Sequence, residues 1–106
     1  MHPYHAAMKV RWTRSSLRLR IDDLELALLR RGGEVRERLI LPGGELSACL
    51  KVGEKRVELS GGALTVELDA AEFELLANPA HEGVEREGPP RLFVEKDFLP
   101  MHGGGT

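Results

Sequence analysis

Aromatic residues are scarce in this sequence: tryptophan and tyrosine occur once each and phenylalanine three times in 106 residues. A core built around stacked rings is excluded, so the interior must be aliphatic, and leucine and valine are plentiful. Cysteine occurs once, as Cys49, which rules out an intramolecular disulfide and fits a reducing compartment. No apolar run approaches the ~20 residues of a membrane span. The opening MHPYHAA lacks the apolar stretch of a secretory signal, so a cytoplasmic protein is expected. Neither sign of charge is in excess: 15 Lys and Arg stand against 17 Asp and Glu, a net charge of −2. That balance argues against nucleic acid or a membrane surface as the partner, while leaving room for a local basic patch.

What is present describes one ordinary domain. The hydrophobic fraction of 42% and charged fraction of 30% are those of a globular protein, and 106 residues suffice for a single core. Met8 opens a strand-like stretch, MKVRW, and the chain finishes on GGGT. The domain is therefore expected to span residues 8–99, with residues 1–7 and 100–106 as flexible termini. The chain reads as free of internal repeats and interdomain linkers.

In KVRWTRSSLRLRI, apolar and basic residues alternate on both sides of Ser15-Ser16. A hairpin centred there sets Val10 against Ile21, Trp12 against Leu19 and Arg11 against Arg20. Asp22 with Glu25 three residues later is a capping-box pattern, and Leu24, Ala27 and Leu28 give the following helix an apolar face. Arg30 and Arg31 suit its last turn, and Gly32 can take the left-handed position after it. Four strands follow (EVRERLIL, ELSACLKV, RVELS and ALTVELD), punctuated by Gly43-Gly44, Gly53 and Gly61-Gly62. Asp69 and Glu72 repeat the capping pattern before AAEFELLAN, which Pro79 stops. HEGVEREGPP reads as a loop before the closing strand RLFVEKDF. The order β-β-α-β-β-β-β-α-β predicts an α+β domain: a mostly antiparallel, curved sheet of about six to seven strands carrying two short helices. Trp12, Leu24 and Leu39 are expected in its core beside Leu19, Leu50, Val66, Leu76 and Val94.

Two patches could carry function. Lys9, Arg11, Arg18 and Arg20 share the outer face of the first hairpin, where like charges oppose each other across the strands. Such a face needs acidic neighbours, with Glu34, Glu37 and Glu45 available, or an anionic ligand that arginine forks can grip. Glu95 and Asp97 stand two apart on the last strand, with His102 just beyond, a set of donors that a divalent cation could use. Catalytic patterns are missing: no serine lies in a nucleophile elbow, GGG precedes no helix, and Cys49 has no base near it in sequence.

The stretches MKVRWTRSSLRLRIDDLELALLRRGGEVRE, LTVELDAAEFELLAN and LFVEKDF resemble a family of small uncharacterised bacterial proteins, a domain of unknown function. The resemblance covers Met8 to about His102. In that family's pattern a cysteine follows the final phenylalanine by two positions, where this chain has Pro100. Any cysteine–histidine chemistry of relatives would be left here with His102 alone. The resemblance implies no activity. The leading reading is a non-catalytic binding module whose basic hairpin face takes a small anion or an acidic protein partner. The alternatives are a metal-binding protein or small metal-dependent enzyme using Glu95, Asp97 and His102, and a homodimer joined through an edge strand.

Overall fold

Both helices form where local chemistry dictates. In the computed structural model, which describes residues 8–96, α1 (Asp23–Arg30) and α2 (Ala70–Ala77) each begin with a complete capping box. Asp22 Oδ1 accepts the Glu25 amide at 2.8 Å while Glu25 Oε1 accepts the Asp22 amide at 3.0 Å. Asp69 and Glu72 do the same at 2.8 and 3.1 Å. Gly32 takes the left-handed conformation after α1, with φ +85°. Residue Asn78, before Pro79, ends α2 in an extended conformation.

The strands are β1 (Lys9–Trp12), β2 (Ser16–Ile21), β3 (Val35–Leu41), β4 (Gly44–Val52), β5 (Arg56–Ser60), β6 (Ala63–Leu68), β7 (Gly83–Arg86) and β8 (Arg91–Lys96). The α+β class and the order of the expected elements hold, with one strand added. The eighth strand is β7, in the stretch read as a loop. Its only large apolar residue is Val84, and its other inward position holds Arg86, so it lacks the alternation that marks a strand. At Gly83 any Cβ would collide with the carbonyl oxygen of Val94, which explains the glycine.

Eight strands form two four-stranded sheets: sheet 1 in the order β1-β2-β8-β7 and sheet 2 in the order β3-β4-β6-β5. Each sheet consists of two antiparallel hairpins joined by a parallel central pair, β2 with β8 and β4 with β6. The first hairpin turns one residue earlier than its composition suggests. Thr13 Oγ1 accepts the amides of Ser15 and Ser16 at 3.3 and 3.1 Å, fixing a turn around Arg14-Ser15. Val10 therefore faces Leu19, and Arg11 faces Arg18. Moving the turn by one shifts the register by two, so every side chain keeps its face.

The register also reveals a repeat where none was expected. Residues of β1, β2 and α1 have counterparts 47 positions on: Val10 and Val57, Leu19 and Val66, Asp22 and Asp69, Glu25 and Glu72 (72 − 25 = 47). Val10↔Leu19↔Val94 across sheet 1 is matched by Val57↔Val66↔Leu50 across sheet 2. The chain is thus hairpin–helix–hairpin written twice, with the halves interlocked so that each sheet holds one hairpin from each. The two copies differ at β3–β4, which is longer than its counterpart β7–β8.

The inner faces of both sheets meet in one core with Leu29 of α1 and Phe73 and Leu76 of α2. Leu19, Ile21, Leu50, Leu68, Leu76 and Val94 are fully excluded from solvent, and burying a side chain of this size contributes about 1.5–3 kcal/mol. Three expected core residues lie outside it: Trp12, Leu24 and Leu39 are exposed. The interior instead takes Met8, Leu17, Val35 and Leu92. On α1 the buried face runs through Glu25 and Leu29, which turns Leu24 to solvent.

Candidate functional site

Alternation along β1, β2, β8 and β7 puts Lys9, Arg11, Arg18, Arg20, Arg91, Phe93, Glu85 and Glu95 on the outer face of sheet 1. The four cations singled out from sequence thus share one surface, and the parallel pairing of β2 with β8 brings Arg91 and Phe93 into it. One row across the sheet runs Arg11–Arg18–Phe93–Glu85, and the next runs Lys9–Arg20–Glu95–Gly83. The Phe93 ring lies between two guanidinium groups, with Arg18 Cζ 4.5 Å and Arg91 Cζ 5.1 Å from its centroid. Cation–ring contacts on an exposed sheet contribute about 0.5–1 kcal/mol each.

Among the described residues the carboxylates that meet the arginines of this face come from β8 and β7, while Glu34, Glu37 and Glu45 lie with sheet 2. Glu95 reaches Arg20 Nε at 3.3 Å and Arg18 Nε at 3.9 Å, and Glu85 pairs with Arg91. Arg91 is held protonated even more firmly than usual by its bond to Glu85. Arg11 has no ion-pair partner among the described residues, and its cross-strand neighbour is Arg18. Leaving Lys9 aside, four arginines stand against two carboxylates among the described residues of this face, an excess of two (4 − 2 = 2).

Sheet 2 supplies a control within the same molecule. Its outer face carries Arg36, Arg38, Lys51 and Arg56 against Glu45, Glu58, Glu67 and, at the start of β3, Glu34. These pair closely: Arg36 with Glu34 at 2.7 Å, Arg56 with Glu67 at 3.2 Å and Arg38 with Glu45 at 3.5 Å. Where sheet 1 has Arg11, Arg18 and Arg20, the equivalent positions of sheet 2 hold Glu58, Thr65 and Glu67. The fold accepts acidic or neutral residues at those places, so the excess of arginine is not demanded by the architecture.

Of the proposed metal donors, Glu95 lies on this face bound to Arg18 and Arg20, while Asp97 and His102 lie outside the described residues. Among the described residues no group of three or more His, Cys, Asp or Glu is placed to hold a metal ion. The Cys49 thiol is pushed above its ordinary pKa, first by burial and then by its 3.4 Å contact with Glu34, which makes it a poor nucleophile at neutral pH. No helix among the described residues is long and apolar enough to cross a membrane.

Phe93 and Arg91 escape a reading by sequence because β2 and β8 are 75 residues apart at the Arg20–Glu95 contact. The alternation Arg91-Phe93-Glu95 was the available signal, but only the parallel pairing says which hairpin it joins. No curated protein matches the chain. Residues 8–103 match the model of a family of unknown function, DUF7009, beginning at Met8 where the strand pattern begins. The repeated hairpin–helix–hairpin, with its one basic and one balanced sheet, therefore belongs to a member of that family.

Proposed function

We propose that the protein is a non-catalytic binding module that holds an acidic segment of a partner protein on the outer face of sheet 1. The observation that carries this reading is the charge excess on sheet 1 beside the balanced surface of sheet 2. Surface cations that serve solubility alone would have no reason to crowd one sheet and face one another across β1 and β2. The geometry favours an extended anion. Neighbouring strands lie about 4.8 Å apart and alternate residues along a strand about 7 Å apart, so Lys9, Arg11, Arg18, Arg20 and Arg91 form a grid of donors on an open sheet. A chain of carboxylates can engage several of these at once, each arginine offering two parallel bonds. Phe93 holds the guanidinium groups of Arg18 and Arg91 over its ring, which limits their rotamers and lowers the entropy lost on binding.

The test borrows from the other half of the molecule. Arg11→Glu with Arg18→Thr installs what sheet 2 carries at the equivalent positions; Arg20 stays, because Glu95 faces it whereas Glu67 faces Lys51. Anisotropy with fluorescent poly-L-glutamate is expected to show binding that weakens with added salt and at least about tenfold in the double variant, about 1.4 kcal/mol. Unchanged affinity in the variant would refute the reading. A small anion such as pyrophosphate binding as well as the polymer would replace the acidic segment with a compact ligand.

A further inference from the structure

On the side of the molecule away from the basic face, the inner surface of sheet 2 runs on past the core. The long β3–β4 hairpin carries Leu39, Leu41 and Leu46 on this surface, and Leu59 of β5 and Trp12 of β1 flank them. All five are exposed, Trp12 at 65% and Leu59 at 73%. Trp12, Leu39, Leu46 and Leu59, together with Met8 and Val10, border a groove of ≈ 630 Å³, and Leu41 extends the apolar surface beyond it. From sheet 1 it is bordered by Val10 and Trp12 of β1, a strand of 4 residues facing an arm whose strands β3 and β4 have 7 and 9. The apolar arm is the part of the first half with no counterpart in the second.

We infer that this groove is the interface of a homodimer, with the β3–β4 arms of two copies packed against each other's grooves. Area and charge select a second copy. The exposed parts of Trp12, Leu39, Leu41, Leu46 and Leu59 amount to roughly 500 Å² of apolar surface, at the upper end of what a monomer leaves open. With the backbone and polar rim around them, two such patches reach the ~1,200 Å² at which specific interfaces begin. A two-fold interface must also complement itself. The groove is bordered by both signs, Glu37 and Arg38, so rotation about a two-fold axis sets acid against base. A rim of one sign would have pointed to a partner of the opposite charge. The arrangement leaves both basic faces outward, so it stands whether or not the proposed function holds.

The single tryptophan gives the test its reporter. Sedimentation velocity of the full chain from about 1 to about 100 µM is expected to pass from a species of 11.7 kDa to one of twice that mass. Over the same range Trp12 emission should move to the blue and its quenching by acrylamide should fall. Leu59→Glu, at an exposed position, should keep the far-ultraviolet circular dichroism and remain monomeric with Trp12 quenchable throughout. A chain that stays at 11.7 kDa would overturn the inference, including the case in which Trp12 is already shielded by some other occupant. So would a dimer that survives Leu59→Glu and Leu39→Glu with unchanged Trp12 quenching, since it would use another surface.

Discussion

Single carboxylates do different work in this protein according to what donates to them. Glu67 Oε1 accepts the Glu54 amide at 2.8 Å and its Oε2 meets Arg56 Nε at 3.2 Å, so it clamps the turn between β4 and β5. The amide bond first, and the nearby Arg56 charge after it, hold the Glu67 pKa below its ordinary 4.5. A depressed folded-state value stabilises the fold above the unfolded pKa, and that contribution fades as pH falls through the folded pKa. Glu67→Gln should therefore lower the thermal midpoint at pH 7, and the gap from the parent should close as the buffer is taken below about pH 4. Thermal melts across that range check the sign; a gap that widened in acid would refute it. Glu34 also has a lowered pKa, chiefly through its bond to Arg36, but it is too exposed for the same effect to be large.

At the scale of elements, local signals were legible and non-local ones were not. The capping boxes at Asp22 and Asp69 are complete within four residues, and the four strands between the helices announce themselves by alternation. The four basic residues of the first hairpin fell on one face even though the turn moved, because a shift of two preserves the pleat. What could not be read was whatever depended on distant pairing: β7, the parallel contact that adds Arg91 and Phe93 to the face, and the exposure of Trp12 and Leu39. Arg86 explains the loss of β7. It points inward, gives both Nε and Nη2 to Glu72 at 3.1 and 2.7 Å, and gives Nη2 also to the Glu67 carbonyl at 2.9 Å, tying β7 to α2 and β6. Removing one partner of a mostly buried pair strands the other, so Arg86→Met should cost about 2–4 kcal/mol in urea unfolding. Adding Glu72→Gln should restore part of it, since the amide oxygen can still accept from Asp69 while no buried charge is left over. A loss under ~0.5 kcal/mol for the single change would show that the pair does not anchor the strand.

Across the whole molecule, the two interlocked halves separate what the fold requires from what it does not. Shared positions such as Leu19 and Val66, or Asp22 and Asp69, build the core and the helix starts. The repeat was hidden because such agreement is confined to scattered positions, while the outer residues differ in charge and the second hairpins differ in length. Those two differences mark the surfaces proposed to act: arginines where the other sheet has Glu58, Thr65 and Glu67, and an apolar arm where the other half has a short hairpin. The measurement that bears most directly on the first is backbone amide chemical-shift mapping of ¹⁵N-labelled protein titrated with poly-L-glutamate. Salt-sensitive shifts clustered on Lys9–Trp12, Ser16–Ile21 and Arg91–Lys96 are expected, because these strands carry the basic face. Shifts concentrated instead on Arg36–Glu45 and Arg56–Glu67, the balanced sheet, or no shifts at low salt, would contradict the assignment of function to sheet 1.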